Sequence, residues 1–469
     1  MADKADNVKR SGGLTERVVM RELPAAERAR CFAEVALGYD DAQAVAEAGR
    51  CLQCPKPPCV AGCPVAVAIP SFISAVAEGD FAGAYRAIRA SNSLPAVCGR
   101  VCPQEVQCER VCVRAKRGQP VAIGHLERFV ADRHLQNSVG RPVVPPSNGK
   151  RVAVVGAGPA GLTCAGALRQ LGYEVTLFEA LHRPGGVLAY GIPEFRLPKA
   201  LVAAEVAQLE QLGVELELNA VVGRTVSIDE LLAAGYGAIF VGSGAGLPQF
   251  LGIPGEDLCG VYSANEFLTR LNLMGAYRQG SYTPVKRGEH VAVIGGGNVA
   301  MDAARCALRL GARVTVVYRR TLEDMPAREE EIRHAIEEGV ALVPLAAPEE
   351  IVGEDGWVRG LRVAPMRLGE PDASGRRSPK PSGEPSREIM CDQVILAIGS
   401  SPNPLLASAT EGLKTDARGC LIVDENAMTA KDAVYAGGDA VTGAATVILA
   451  MGAGRDAAAA IHARLSAKE

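Results

Sequence analysis

Apolar residues return at helical spacing through residues 25–50 and 70–90, as Ile73, Val76, Phe81, Tyr85 and Ile88 show, without the alternation of a half-buried strand. This pattern predicts helices in the first third of the chain. A polar, proline-rich stretch, Arg141-Pro-Val-Val-Pro-Pro-Ser-Asn-Gly149, then marks a linker and places a domain boundary near residue 148. Beyond it the pattern becomes one of short apolar runs ending in glycine, and it repeats. Val152-Ala-Val-Val-Gly-Ala-Gly-Pro-Ala-Gly161 returns 139 positions later as Val291-Ala-Val-Ile-Gly-Gly-Gly-Asn-Val-Ala300, each followed by an alanine-rich helix and a second strand. Two nucleotide-binding βαβ units are implied. Two more apolar runs, Ala238-Ile-Phe-Val-Gly-Ser-Gly244 and Val394-Ile-Leu-Ala-Ile-Gly399, also end in glycine. In two-dinucleotide flavoproteins such strands carry the chain between domains, so the second unit is expected to be inserted in the first. The expected division is a helical domain over 1–148, a first unit over 149–287, the inserted unit over 288–396 and the completion of the first over 397–469. The segment from Ala364 to Arg387, rich in Pro, Gly, Ser and charge, reads as an exposed hairpin or loop. The charge-dense run from Glu323 to Glu338 reads as a helix with a solvated face.

Composition narrows the class. With 469 residues, 48% hydrophobic and 22% charged, the chain fits a globular protein of two to four domains. No run approaches the ~18 apolar residues of a membrane span. A net charge of −3 supplies no basic field for nucleic acid or anionic lipid, and Arg319-Arg320 and Arg376-Arg377 are local features. Between Met1 and Arg30 charges are scattered through any apolar run, so a cytoplasmic location is expected.

Eight of the fourteen cysteines lie within the 62 residues from Cys51 to Cys112, as Cys51, Cys54, Cys59, Cys63 and Cys98, Cys102, Cys108, Cys112, with Pro64 and Pro103 following. A 4Fe–4S cubane takes about four thiolates, so eight candidates point to two clusters and to one-electron chemistry. Disulfides need an oxidising compartment. Zinc competes through Cys-x2-Cys pairs, but ribbon sites repeat the two-residue gap in both halves, whereas the second run has gaps of three and five. Cys164, Cys259, Cys306, Cys391 and Cys420 stand singly and read as buried apolar thiols, against a thioredoxin-reductase-like dithiol.

In the first βαβ unit Gly156 permits the tight turn, Gly158 lets backbone N–H groups approach a pyrophosphate with Pro159 and Ala160 opening the helix, and Gly161 permits close helix packing. Glu179 lies 23 residues after Gly156, where a carboxylate accepts from ribose hydroxyls and repels a 2′-phosphate, so FAD or NAD is expected. In the second unit Gly295, Gly297 and Ala300 hold the fingerprint positions, and Arg319 and Arg320 stand 24 and 25 residues after Gly295. Two guanidinium groups there favour the 2′-phosphate of NADP(H). Tyr435-Ala-Gly-Gly-Asp-Ala440, with Thr446 before a last helix, resembles the stretch at which two-dinucleotide flavoproteins set an aspartate against the ribityl and pyrophosphate side of FAD, which implies that place for Gly438 and Asp439.

These residues together resemble the small-subunit family of NADPH-dependent glutamate synthase, to which the N-terminal half of dihydropyrimidine dehydrogenase is also similar. The likeness runs from about Leu37 to Ile461 through Arg50-Cys-Leu-Gln-Cys54, Cys98-Gly-Arg-Val-Cys-Pro103, Gly185-Gly-Val-Leu188, Gly191-Ile-Pro-Glu-Phe-Arg-Leu-Pro-Lys199 and Val317-Tyr-Arg-Arg320. Pro103-Gln-Glu105, Leu126-Glu-Arg-Phe-Val-Ala-Asp132 and Pro326-Ala-Arg-Glu-Glu-Glu-Ile-Arg333 look most similar to the large subunit of NADH-dependent reduced ferredoxin:NADP oxidoreductase, a bifurcating transhydrogenase whose relatives include sulfide dehydrogenase. The resemblance implies an α/β chain: a helical iron–sulfur domain, then two Rossmann-like domains with the NADP domain inserted in the FAD domain. It further implies interleaved clusters, one on Cys51, Cys54, Cys59 and Cys112, the other on Cys63, Cys102, Cys108 and the carboxylate of Glu127, with Cys98 a spare thiol. Gly186, Leu188, Arg196 and Val222 are implied on the FAD side, and Gly297, Asn298, Val299, Ala300, Arg319, Arg320 and Gly399 on the NADP side.

The expected enzyme is an NADPH-dependent flavin iron–sulfur oxidoreductase. Hydride exchange between NADP(H) and FAD is followed by single-electron passage through the clusters to a second oxidoreductase subunit, in transhydrogenation with ferredoxin and NAD. No residue reads as a catalytic acid or base, since the cofactors carry this chemistry. A second reading is the NADPH-oxidising subunit of glutamate synthase. The first cysteine is Cys31 and no FMN barrel is expected, so glutamate formation would fall to a large partner subunit. A third reading makes the cysteine region a zinc-binding module on a simple NADPH flavin reductase.

Overall fold

The two glycine-ended repeats each seed a parallel sheet. The computed structural model describes residues 16–137, 143–371 and 377–467. Arg141, at the head of the linker, and Arg376 lie outside these residues.

The first sheet has five parallel strands in the order Val434–Ala436, Tyr236–Val241, Arg151–Val155, Glu174–Phe178 and Glu215–Glu217. The second, also parallel, runs Val261–Ser263, Gln393–Leu396, His290–Ile294, Arg313–Val317 and Ala341–Val343. Strand 434–436 returns to the first sheet after the whole of the second has been made. Leu247–Pro248 and Ser400–Ser401 pair antiparallel at the crossing between the two units. The strand Val261–Ser263 and the helix Ala264–Asn272 belong with the second sheet, although a boundary at 287 assigns them to the first unit. The reason is register: Val261, Tyr262 and Ser263 pair with Val394, Ile395 and Leu396, an edge that only the three-dimensional sheet reveals. The segment from Ala364 onward is a hairpin, with Trp357–Pro371 pairing antiparallel to Arg377–Pro381.

The N-terminal third is helical: Asp41–Ala48, Ile69–Ala77, Phe81–Arg89, Pro95–Val101 and Ile123–Asn137 surround the cysteine loops. Asp40 caps the first of these in a capping box with Gln43, satisfying end donors that the helix cannot. These helices do not form a core of their own. Phe72, Ile73, Val97 and Leu126 are buried in one apolar cluster with Leu162, Tyr173, Met451 and Ile461 of the first nucleotide unit. The contact is made by the helix Lys199–Gln211 and by the last helix, Val447–Ser466, which also packs on the helix Pro159–Gln170.

That last crossing is close because of Gly454: a Cβ there would stand 2.1 Å from the carbonyl oxygen of Ala160. Gly454→Ala should destabilise the fold by about 1–3 kcal/mol, the usual cost of overpacking. Urea unfolding followed by far-ultraviolet circular dichroism measures this, and an unchanged midpoint would mean that the helices part at no cost.

The run Glu323–Glu338 departs from the solvated helix expected of it. Its helix is Glu329–Glu338, and Glu331, His334 and Glu338 are buried. Glu331 and Glu338 face Arg305 and Arg309 of the helix Asn298–Arg309, together with Arg28 and Arg196, and His334 pairs with Glu22, so the charges are paired inside the protein. Of the five single cysteines expected to be buried, Cys164, Cys306, Cys391 and Cys420 are, whereas Cys259 is exposed. It lies in the loop ahead of Val261, bridged by backbone to Trp357.

Candidate functional site: two nucleotide cradles and a thiol cluster

Gly156 follows the strand Arg151–Val155 at φ +100°, where an L side chain is strained, and a Cβ on it would meet the Gly242 carbonyl at 2.6 Å. A Cβ on Gly161 would stand 1.9 Å from the Gly156 oxygen, so turn and helix fit only as glycines. Gly158 is the N-cap of the helix Pro159–Gln170, and the second glycine pair closes over it: a Cβ on Gly186 would lie 2.8 Å from the Gly158 Cα. The result is a side-chain-free cradle at a helix N-terminus, suited to a pyrophosphate. Gly438, at φ +66°, abuts Ala160 from the other side of the insertion.

Glu179 is buried just beyond the strand Glu174–Phe178. Its carboxylate accepts from the Ala157 N–H (2.9 Å) and the Leu181 N–H (2.8 Å), each oxygen keeping a lone pair for a ribose hydroxyl. Burial raises its pKa, and these backbone donors oppose the rise. Asp439 accepts from Ala445 N–H at 3.2 Å, and burial raises it too. The Tyr190 phenol is pushed up to about 12 by burial, with the charges of Asp439 and Glu179 adding to the rise. Thr446 caps the last helix by accepting from the Leu449 N–H, and Leu188 and Val222 are buried. Arg196, by contrast, turns toward the second unit, with Nη1 2.6 Å from Asp302 and Nε 2.9 Å from Glu331.

The second cradle repeats the first with an open face. Gly295, at φ +142°, would place a Cβ 2.3 Å from the Ala397 carbonyl, and Gly297 caps the helix Asn298–Arg309 with empty space where its side chain would be. Ala300 is buried and Val299 exposed, while the Asn298 side-chain oxygen accepts from the Arg328 N–H. Gly399, at φ +111°, is open except toward Gln249. Arg319 is exposed and makes no ion pair among the described residues. The Nε of Arg320 is buried with no hydrogen-bond partner. A buried donor left unpaired beside an unneutralised guanidinium suits an incoming phosphate.

The thiols fall into two neighbourhoods. Cys59 lies in the field of Cys112 and Cys51, and burial together with these neighbours pushes it up to about 11. Cys63 feels Glu127 and Cys102, and Cys108 feels Glu127, Cys102 and Cys63, burial again being the main cause of their raised pKa values. Cys51, Cys54, Cys59, Cys63 and Cys112 are half-buried, whereas Cys102 and Cys108 are buried. Cys98 is fully buried beside Cys102, its Sγ 3.6 Å from Asn92 Oδ1 and 3.5 Å from Met451 Sδ. Among the described residues no three cysteine sulfurs lie within 4.8 Å of one another. Tetrahedral zinc would gather its thiolates to ~4 Å separations.

Glu127, on the helix Ile123–Asn137, is buried, and burial raises its carboxyl to about 7. Asn92 donates to its Oε1 at 2.6 Å and accepts the Leu94 N–H at 2.9 Å. A backbone N–H can only donate, so the amide orientation is fixed and its NH2 must face Glu127. No spacing rule points to Asn92; only the fold brings it to Glu127.

Comparison with known proteins agrees with this geometry. A family model described as dihydropyrimidine dehydrogenase domain II, 4Fe-4S cluster, matches residues 28–139, and one described as pyridine nucleotide-disulphide oxidoreductase matches residues 150–454. The glutamate synthase [NADPH] small chain of Azospirillum brasilense is 40% identical over 95% of this chain and 94% of its own. The chain belongs to the glutamate synthase small chain family. Other relatives include the NADP(+)-dependent formate dehydrogenase subunit beta of Moorella thermoacetica, 39% identical over 86% of this chain and 59% of its own. Among solved structures, FprA from Mycobacterium tuberculosis in complex with NADPH has a TM-score of 0.58 at 22% identity, covering 69% of this chain and 85% of that one, a likeness of fold. Like its family, the chain is an NADPH-dependent oxidoreductase subunit with FAD, NADP(H) and 4Fe–4S as cofactors. Among the described residues no helix is long and apolar enough to cross a membrane.

Proposed function

We propose that this chain oxidises NADPH at the second cradle and delivers the electrons one at a time, through FAD and two 4Fe–4S clusters, to a partner oxidoreductase subunit, in transhydrogenation with ferredoxin and NAD as the other carriers. The observation that supports the electron path is the thiol arrangement: Cys102 and Cys108 are buried in the apolar cluster shared with the last helix, while Cys51, Cys54, Cys59, Cys63 and Cys112 are half-buried. When bound, the flavin accepts a two-electron hydride and can release single electrons. The protein's own part is to hold the pyrophosphates on Gly158 and Gly297, to seat ribose hydroxyls on Glu179, and to clasp a 2′-phosphate with Arg319 and Arg320. That Cys59 feels Cys51 and Cys112, and that Cys63 and Cys108 feel Glu127 and Cys102, supports the interleaved ligand sets, with Cys54 completing the first; Cys98 also feels Cys102 and Glu127, so its variant decides between it and Glu127. Asn92 would then hold Glu127 with its second oxygen free for iron.

Cys102→Ser should lose about half the iron and one electron-paramagnetic signal, while NADPH still bleaches the flavin. Glu127→Ala and Asn92→Leu should shift the potential of that same signal. If Cys98→Ser lost a cluster and Glu127→Ala left both spectra and potentials unchanged, Cys98 would replace Glu127 as the ligand.

The 40% identity to a glutamate synthase small chain over nearly its whole length favours a second reading, in which the partner is a glutamate synthase large subunit. Anaerobic affinity purification from the native host, followed by NADPH oxidation with ferredoxin and NAD together or with glutamine and 2-oxoglutarate, separates the two. A requirement for both carriers supports transhydrogenation; turnover on glutamine and 2-oxoglutarate overturns it.

A further inference from the structure

The buried thiol neighbourhood faces the flavin side of the molecule. Beyond the Cys98–Met451 contact, Arg455 of the last helix donates to the Val65 carbonyl at 3.0 Å, two residues after Cys63. The half-buried cysteines of the other neighbourhood lie on two loops packed together: a Cβ on Gly62 would meet Val111 Cγ2 at 2.7 Å, and Arg114 Nε donates to the Arg50 carbonyl at 2.9 Å. These loops carry Lys56, Arg110, Lys116 and Arg117, all exposed and none in an ion pair among the described residues. Between Cys51 and Ala68 there is no acidic residue, and between Val106 and Pro120 the only one, Glu109, is buried on Arg17 at 2.6 Å. Leu52, Val106 and Val111 are 49%, 58% and 41% exposed on the same loops. On a chain of net charge −3, the loops that carry Cys51, Cys54, Cys59 and Cys112 thus bring unpaired exposed cations and exposed apolar side chains to the surface beside the half-buried thiols.

We propose that this surface is the electron-exit face, and that it docks a one-electron carrier protein whose contact surface is acidic. The inference rests on the electron path proposed above. Opposite charges steer the encounter, while the apolar patch brings the two centres close without water between them. With NAD as the second carrier, the balance is two NADPH, one NAD+ and two oxidised carriers giving two NADP+, one NADH, one proton and two carriers each reduced by one electron.

The test uses the holoprotein complex with NAD present throughout, an oxidised, acidic 2Fe–2S protein as acceptor and hexaammineruthenium(III) as a cationic control. In wild type, raising salt from low to physiological should slow reduction of the acidic acceptor several-fold. The variant K56E/R110E/K116E/R117E should slow it about 10-fold or more at low salt and reverse the salt trend, while the ruthenium complex is reduced faster. The corresponding quadruple glutamine variant should fall between. Flavin bleaching by NADPH and iron content should match wild type in both variants. Rates on the acidic acceptor that ignore the charge reversal, or both acceptors changing in the same direction, overturn the docking face. A wild type that NADPH fails to bleach, or that carries no iron, overturns the electron path instead.

Discussion

Arg319→Gln with Arg320→Gln should lower kcat/KM for NADPH by about 10²-fold or more and leave that for NADH nearly unchanged. A charge-assisted hydrogen bond contributes roughly 1.5–3 kcal/mol. Two such groups could reach ~3–6 kcal/mol, but Arg319 is exposed and screened by water, so the lower end is the reasonable expectation. About 3 kcal/mol corresponds to ~10²-fold. Arg320 should carry the larger share, because its Nε is already buried without a partner and gains most when a phosphate arrives. The loss should fall mainly on KM, since the 2′-phosphate is remote from the reacting ring and binds equally in ground and transition states. Stopped-flow bleaching of the flavin across NADPH and NADH concentrations measures both constants. Equal losses for the two nucleotides would place the 2′-phosphate elsewhere.

The two cradles were legible from sequence because each is written in contiguous residues. Gly156 and Gly161 need no Cβ for reasons of local backbone geometry, and Glu179 and Arg319 follow at the length of one βαβ turn. The cysteine loops were legible for the same reason of density. What escaped notice is built from residues far apart in the chain. Glu331 and Glu338 looked like a solvated acidic face because Arg28, Arg196, Arg305 and Arg309, which neutralise them, come from three other segments. The strand Val261–Ser263 escaped because three residues carry no periodicity, and its membership is decided by the partner Gln393–Leu396. Asn92 escaped because an amide in a loop is ordinary until its Nδ2 is found on Glu127. Arg196 sits in a motif whose resemblance pointed to the flavin, yet its guanidinium is held by Asp302 and Glu331 at the junction of the two nucleotide units.

That junction carries the largest expected effect on stability. Glu338 accepts from Arg305 Nη2 at 2.7 Å and Arg309 Nη1 at 2.6 Å, with Arg28 Nε at 3.2 Å, and the side chains of Glu338, Arg305 and Arg309 are fully enclosed. The planes of Arg305 and Arg309 also lie over the Phe195 ring, at 4.6 and 3.8 Å. Glu338→Gln would leave these cations without their shared counter-charge, and removing one partner of a buried pair costs about 3–5 kcal/mol. The loss should appear as a lower denaturation midpoint and as new proteolytic cleavage around the helix Glu329–Glu338. The same pairs give the junction an acid dependence. Burial alone would raise Glu338 and Glu331, but the facing arginines win and hold each at about 2. A carboxylate depressed in the folded state stabilises it above the ordinary carboxylate range, and that stability is lost as pH falls toward the folded value. Wild type should therefore lose stability between about pH 4.5 and 2 more steeply than Glu338→Gln, which has given up one of the two titrating groups. Parallel acid dependences of the two proteins, followed by circular dichroism, would show that Glu338 is not depressed by its arginines.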